Sequence, residues 1–155
     1  MILSLEAQLA DWKYSRGIVL TFISELSDDD LDKKLPRKEW NTIRLQIEEL
    51  AMIQKDYIDS LTTREMNFNM APLKDTSKQG LTERLTELDK ELEKILEAFD
   101  GNETISWFEE HKNIHEHISA MIGHENMHIG QIVAFCYATG IHIPNTITET
   151  MALDG

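Results

Sequence analysis

The run His124-Glu125-Asn126-Met127-His128-Ile129-Gly130-Gln131 sets two histidines four residues apart. On a helix that spacing stacks them one turn above the other, with Cβ atoms roughly 5–6 Å apart, so that both imidazoles can reach one metal ion. The surrounding residues read as helix. Ile118, Ile122, Ile129, Val133 and Cys136 make one apolar flank. Beside it His117, Met121, His124, His128, Gln131 and Phe135 line up as a second stripe, bordered by Ala120, Ala134 and Ala138. Apolar character over so wide an arc predicts a helix buried on most sides, its histidine stripe facing other helices rather than water. Asn113 with Glu116 three residues on has the pattern of a capping box, and Gly140 supplies a stop, so this helix is expected over about 113–139.

Three more helices precede it. Over about 4–26, Leu5, Leu9, Trp12, Val19, Ile23 and Leu26 share one stripe, with Arg16 in its middle. A cation on a buried face needs a partner, because an unpaired charge there is costly. Ser27-Asp28-Asp29-Asp30 ends this helix and can cap a short turn through Leu31 and Lys33, and Pro36 keeps the next segment extended. Asn41 is the expected N-cap of a helix over about 42–64, with Ile43, Ile47, Leu50, Ile53, Tyr57 and Leu61 on its apolar face. At roughly 100° per residue, adjacent carboxylates cannot both look inward. Glu49 flanks the apolar face and Glu48 points nearly away from it.

Residues 66–78 show neither helical nor strand periodicity, a long link for neighbouring antiparallel helices. That length predicts a crossover, with the second and third helices running the same way. The third, about 80–99, carries Leu81, Leu85, Leu88, Leu92, Ile95 and Phe99 on one strip and reads as purely structural, stopped by Asp100-Gly101-Asn102. Ile105-Ser106-Trp107-Phe108 is a short extended piece able to lid one end of a bundle. A polar tail, Asn145–Gly155, follows Pro144. The three prolines all fall between helices. The expected architecture is all-α: one domain over 1–155, a four-helix bundle.

The net charge of -13, with no Lys/Arg cluster, argues against nucleic acid and against anionic membranes as partners. The N-terminal residues lack the pattern of a secretion signal, and no apolar run approaches a membrane span. The single cysteine, Cys136, excludes an intramolecular disulfide and a multi-cysteine metal cluster. A cytoplasmic location fits best.

Three metal-site constellations compete. His124-Glu125-x-x-His128 is also the signature of a zinc hydrolase with Glu125 as general base. Its extended form fails here, because Gln131 and Ala134 stand where glycine and histidine would be, and Glu149 downstream lies in the polar tail. A ferritin-like di-metal site needs Glu-x-x-His on two helices, and Glu125…His128 has no counterpart. The third is a mononuclear site, two histidines from the last helix with one ligand from the second. His117 lies about 10 Å along the axis from His124, too far for one site, and is expected at a cavity mouth or in packing. His111, His115 and His142 fall at helix ends or in loops and are expected in solvent.

Arg16, Leu35-Pro36…Trp40, His124-x-x-x-His128 followed by Gly130-Gln131, and Gly140-Ile141-His142-Ile143-Pro144 together resemble the DinB/YfiT-like metalloenzyme family over essentially the whole chain. The resemblance implies up-down-down-up connectivity, a divalent metal commonly held by three histidines, and frequent homodimers. It also implies transferases and isomerases that use a low-molecular-weight thiol such as bacillithiol or mycothiol on a small-molecule electrophile. Where the family's second helix usually has histidine before a Leu-Ala or Ile-Ala pair, this chain has Glu49-Leu50-Ala51. The implied ligands are thus Glu49, His124 and His128, a set suited to Zn, Ni, Mn or Fe(II). Arg16 would hold a carboxylate of the thiol cofactor, and Gln131 would orient a ligand or the substrate. The rival expectation is a non-catalytic, metal-free bundle in which Arg16 and Glu49 form a structural ion pair and the histidines only pack.

Overall fold

The computed structural model describes residues 2–154. Its elements are α1 (Leu3–Glu25), α2 (Asp28–Leu31), α3 (Ile43–Thr63), α4 (Lys78–Leu96), β1 (Thr104–Trp107), β2 (Glu110–Asn113), α5 (Ile114–Thr139) and α6 (Asn145–Met151). The fold is mainly helical, with α1, α3, α4 and α5 as its long members and β1–β2 as an antiparallel pair in which Thr104 faces Asn113 and Trp107 faces Glu110.

Local chemistry sets the helix ends. The Ser27 side chain caps α2 by accepting from Asp30 N, and the Ser77 side chain caps α4 by accepting from Gly80 N. Thr42, not Asn41, caps α3 by accepting from Leu45 N. Both residues carry a suitable side-chain oxygen, and Thr42, immediately before Ile43, has the extended backbone of an N-cap, at φ -133° and ψ 159°. The capping box at Asn113 and Glu116 forms as expected, and Gly140, at φ 68°, closes α5 in the left-handed conformation that glycine adopts freely. Helix α4 ends at Leu96, before Asp100-Gly101-Asn102, and starts two residues earlier than its apolar strip indicates.

Each long helix contributes a buried stripe. Leu5, Leu9, Trp12, Val19 and Phe22 of α1 meet Leu81, Leu85, Leu88 and Leu92 of α4, Ile47, Leu50 and Ile58 of α3, and Ile118, Ile129 and Ile132 of α5 in one core. At about 1.5–3 kcal/mol per fully buried aliphatic or aromatic side chain, this apolar interior is the main force holding the helices together. Polar cross-helix pairs show how the helices lie. Along α1 and α5 the partners advance together, Gln8 with Ser119 and, two turns on, Ser15 with Asn126 and Arg16 with Glu125. Along α3 and α4 they also advance together, Arg44 with Thr76 O just ahead of α4, then Gln54 with Asp89 and Lys55 with Glu91. Along α3 and α5 they run opposite, Ser60 with His117 and Glu49 with His128.

Three segments differ from the sequence expectation. The apolar piece at 105–108 is one arm of a hairpin whose tip, Phe108, has φ 53°. Four residues of low alternation and no Asn-Gly or Asp-Gly turn gave no hairpin signal. The hairpin is tied to the crossover by Met66 N to Ser106 O at 2.8 Å and Ser106 N to Arg64 O at 2.9 Å. The tail after Pro144 is not irregular, since α6 forms there and buries Ile147. And α4 contributes more than its apolar strip, because Asp89 reaches into the interior polar network described below.

Candidate metal centre

Glu49 comes from the middle of α3, and His124 and His128 from successive turns of α5. One ligand atom from each lies within 4.8 Å of the other two. His128 Nε2 is 3.2 Å from Glu49 Oε2, His124 Nε2 is 3.9 Å from Glu49 Oε1, and the imidazole centroids are 4.7 Å apart. His128 is buried at 2% exposure, whereas the His124 and Glu49 side chains, at 21% and 15%, give the cluster an opening to solvent.

These residues fit a metal ion. Despite the 3.2 Å approach, His128 Nε2 and Glu49 Oε2 are both buried atoms without a hydrogen-bond partner. His128 Nδ1 is unpartnered as well, so neither imidazole nitrogen of this buried histidine is engaged by the protein. Bonds of about 2.0–2.1 Å to a tetrahedral ion place ligand atoms about 3.3 Å apart, close to the spacing seen before any adjustment of rotamers. Burial, reinforced by the neighbouring His128, holds His124 down at about 4 against the opposing pull of Glu49. It is therefore neutral at pH 7, the form that coordinates metal.

The DinB superfamily profile matches residues 8–132. The chain belongs to the DinB superfamily. A crystal structure of a DinB-like protein from Bacillus cereus ATCC 10987 is similar in fold, with a TM-score of 0.70, 18% sequence identity, and coverage of 90% of this chain and 95% of that one. Among curated proteins none matches.

Arg16 is not the partner of Glu49. In this DinB-superfamily chain it lies 2% exposed, with Nη1 at 3.3 Å from Glu125 Oε1 and Nε at 3.4 Å from Asp89 Oδ1. Its Nη2 donates to Gln54 Oε1 at 2.7 Å, and the guanidinium stacks 4.7 Å from the Trp12 ring centroid. Trp12 Nε1 and Gln54 Nε2 both donate to Asp89 Oδ1, at 3.0 and 2.8 Å, which closes the network. The expected Arg16–Glu49 ion pair is thus corrected by two carboxylates that the apolar periodicity of α4 and α5 did not mark as inward. Glu125 was legible only as the second letter of the His-Glu-x-x-His signature. Burial pushes its carboxyl above the ordinary range, with Arg16 only partly offsetting that.

His117 is a satisfied core histidine. Trp107 Nε1 donates to its Nδ1 at 3.0 Å, which leaves Nε2 as the protonated nitrogen, facing Tyr57 O and Ser60 Oγ at 3.1 Å each. It pins the hairpin to α3. His115 bonds Gln8 and is not purely solvated, and His142 pairs with Asn145. Gln131 is half-buried one turn beyond His128. A groove of about 420 Å³ lies away from the histidines, between α3, the crossover and α4, lined by residues including Met52, Lys55, Leu73 and Arg84. None of Glu49, His124 or His128 borders it, so its size does not make it the centre of the chemistry.

Proposed function

We propose that this DinB-superfamily protein binds one divalent metal ion through Glu49, His124 and His128 and acts as a transferase that joins a low-molecular-weight thiol, of the bacillithiol or mycothiol type, to a small electrophile. The observation that carries the reading is the convergence of three ligand atoms within 4.8 Å, with His128 Nε2 and Glu49 Oε2 buried and unpartnered. Zn, Ni, Mn and Fe(II) all suit two imidazoles and a carboxylate. When bound, such an ion supplies a Lewis acid that lowers the pKa of a coordinated thiol toward neutrality.

The chain's own residues do the rest. His124 and Glu49, on the open side, leave room for an incoming ligand, and Gln131 stands one turn away to orient it. Arg16 acts from behind: its ion pair with Glu125 fixes the rotation of α5 between the two histidines, so its buried partners support a positioning role rather than direct capture of a cofactor carboxylate. Glu125, spent on Arg16 and 1% exposed, is poorly placed to activate water, which disfavours the zinc-hydrolase reading. The cross-helix pairs support up-down-down-up connectivity, as the resemblance implies. A homodimer and a cytoplasmic location remain part of the proposal. No helix among the described residues is long and apolar enough to cross a membrane.

The test is turnover by metal-loaded protein of a thiol with 1-chloro-2,4-dinitrobenzene. There the sulfur–carbon bond forms, chloride leaves and the thiol proton passes to solvent. Metal-dependent thiol consumption supports the transferase. None with any electrophile, at full metal occupancy, sinks it.

A further inference from the structure

The groove of about 420 Å³ between α3, the crossover and α4 has no part in the metal centre. Its outer wall is the crossover segment 71–75, which is tied down at both ends. On one side Met70 N donates to Asp56 Oδ2 at 2.9 Å. On the other, Ser77 N donates to Asp75 Oδ1 at 2.9 Å, and Arg44 Nη1 donates to Thr76 O at 2.8 Å. Asp75 also packs against Gly80 near the start of α4, where a Cβ would come within 2.4 Å of its Cγ. The protein itself thus holds the wall in place, which spares a ligand the cost of ordering it. A volume of this size falls in the lower part of the range of about 300–1,000 Å³ typical of small-molecule clefts.

The lining combines apolar surface with cations that the protein leaves unengaged. Met52 and Leu73, both half-buried, and the exposed Ala71 and Pro72 supply the apolar part. Most of the bordering charges are spent on neighbours. Lys55 pairs with Asp59 and Glu91, at 2.5 and 3.1 Å. Asp75 is taken by Ser77, and Glu83 accepts from Gln79 Nε2 at 2.8 Å. Glu87, its side chain 69% exposed, comes no nearer to Arg84 than 3.7 Å, a surface pair that contributes little. The Arg84 side chain is 32% exposed, and its guanidinium makes no hydrogen bond among the described residues. Lys74 makes neither a hydrogen bond nor an ion pair among them.

We propose that this groove binds an amphipathic monocarboxylate of medium chain length, its carboxylate on Arg84 and its hydrocarbon body against Met52, Pro72 and Leu73. A guanidinium offers two parallel N–H donors that match the two oxygens of a carboxylate. Lys74 adds a second, more mobile cation. A dianionic head such as a phosphate is disfavoured, since Asp75, Glu83 and Glu87 border the same groove and repel the second charge. A neutral head leaves the guanidinium unanswered. Each methylene laid against the apolar lining adds affinity by leaving water. None of Glu49, His124 or His128 borders the groove, so this site is independent of the metal-and-thiol reading.

The experiment follows the methyl signals of protein labelled with 13C at the methionine Cε, the Met52 signal being assigned with Met52→Leu. Metal-free protein is used, so that a carboxylate has no ion to bind. Octanoate, 1-octanol and octyl phosphate are titrated into wild type, and octanoate into Arg84→Gln. Octanoate is expected to shift the Met52 signal saturably, with a Kd below about 1 mM, and to leave Met121 and Met127 of α5 unmoved. 1-Octanol and octyl phosphate should each bind at least about tenfold more weakly than octanoate, and Arg84→Gln should weaken octanoate by at least about tenfold. The contrast of octanoate with 1-octanol is read on wild type and does not depend on how well the variant folds. A Met52 signal unmoved at about 10 mM octanoate overturns the site. So do 1-octanol or octyl phosphate binding as tightly as octanoate, octanoate affinity unchanged in Arg84→Gln, and shifts at Met121 or Met127 in place of Met52.

Discussion

Arg16 and Glu125 face each other across the α1–α5 interface at 3.3 Å, with side chains 3% and 1% exposed. The pair separates two kinds of buried charge in this small domain. One set, Arg16, Glu125 and Asp89 with Gln54 and Trp12, sets a cation among opposite charges. The other, Glu49, His124 and His128, gathers three groups able to ligate a metal within 4.8 Å. Under the proposed function the first holds helices in register and the second binds the ion.

That separation is measurable by mutation. Glu125→Ala strands a buried guanidinium and is expected to lower unfolding stability by about 3–5 kcal/mol, as breaking a buried pair does, softened by the remaining Asp89. Glu49→Ala in metal-free protein removes an atom with no partner and should change stability by less than about 1 kcal/mol. Urea unfolding of the two variants side by side decides it. Equal losses would mean Glu49 is structural after all.

Acid should destabilise the metal-free fold before ordinary carboxylates titrate. Burial holds His117 down at about 4, against an ordinary value of 6.5. Geometry gives the same direction, since a proton on Nδ1 would confront the Trp107 N–H that now donates to it. The folded pKa lies below the unfolded one, so the unfolded chain binds the proton first. Stability is then full above about 6.5 and falls as pH drops toward 4, by roughly 2–3 kcal/mol from this group. Unfolding free energy between pH 7 and 4.5 checks it, and His117→Gln should flatten the slope.

The start of α5 is set by a reciprocal cap, Asn113 Oδ1 accepting from Glu116 N at 3.0 Å and Glu116 Oε2 accepting from Asn113 N at 2.8 Å. Asn113→Ala is expected to cost about 1–2 kcal/mol. Because the cap lies more than two turns from His124, metal affinity should stay within about twofold of wild type. Thermal melts and metal titration of this variant together test whether the centre is insulated from fraying of the helix start.

What the sequence made legible follows from periodicity. The α5 stripe placed His124 and His128 together, and the angle between Glu48 and Glu49 chose the inward carboxylate before any neighbour was known. Apolar stripes also marked the four long helices to within a few residues. Periodicity says nothing of which polar residue meets which. Glu125 and Asp89 look like ordinary surface acids on their own helices, and only the packing of α1 against both brings them to Arg16. The hairpin and α6 escaped for another reason: each is stabilised by contacts made elsewhere, Ser106 with Arg64 and Met66, Ile147 with the core, rather than by a local pattern.

Metal binding by Glu49, His124 and His128 is the central test. Elemental analysis of untagged wild-type protein, beside Glu49→Ala and His128→Ala, is the most direct measurement. The expected result is about one equivalent of a divalent metal in wild type and loss of at least tenfold in affinity in each variant, with both variants folded. Wild type that takes up no metal after reconstitution with Zn, Ni, Mn or Fe(II), or variants that keep it, would contradict the assignment of Glu49, His124 and His128 as its ligands.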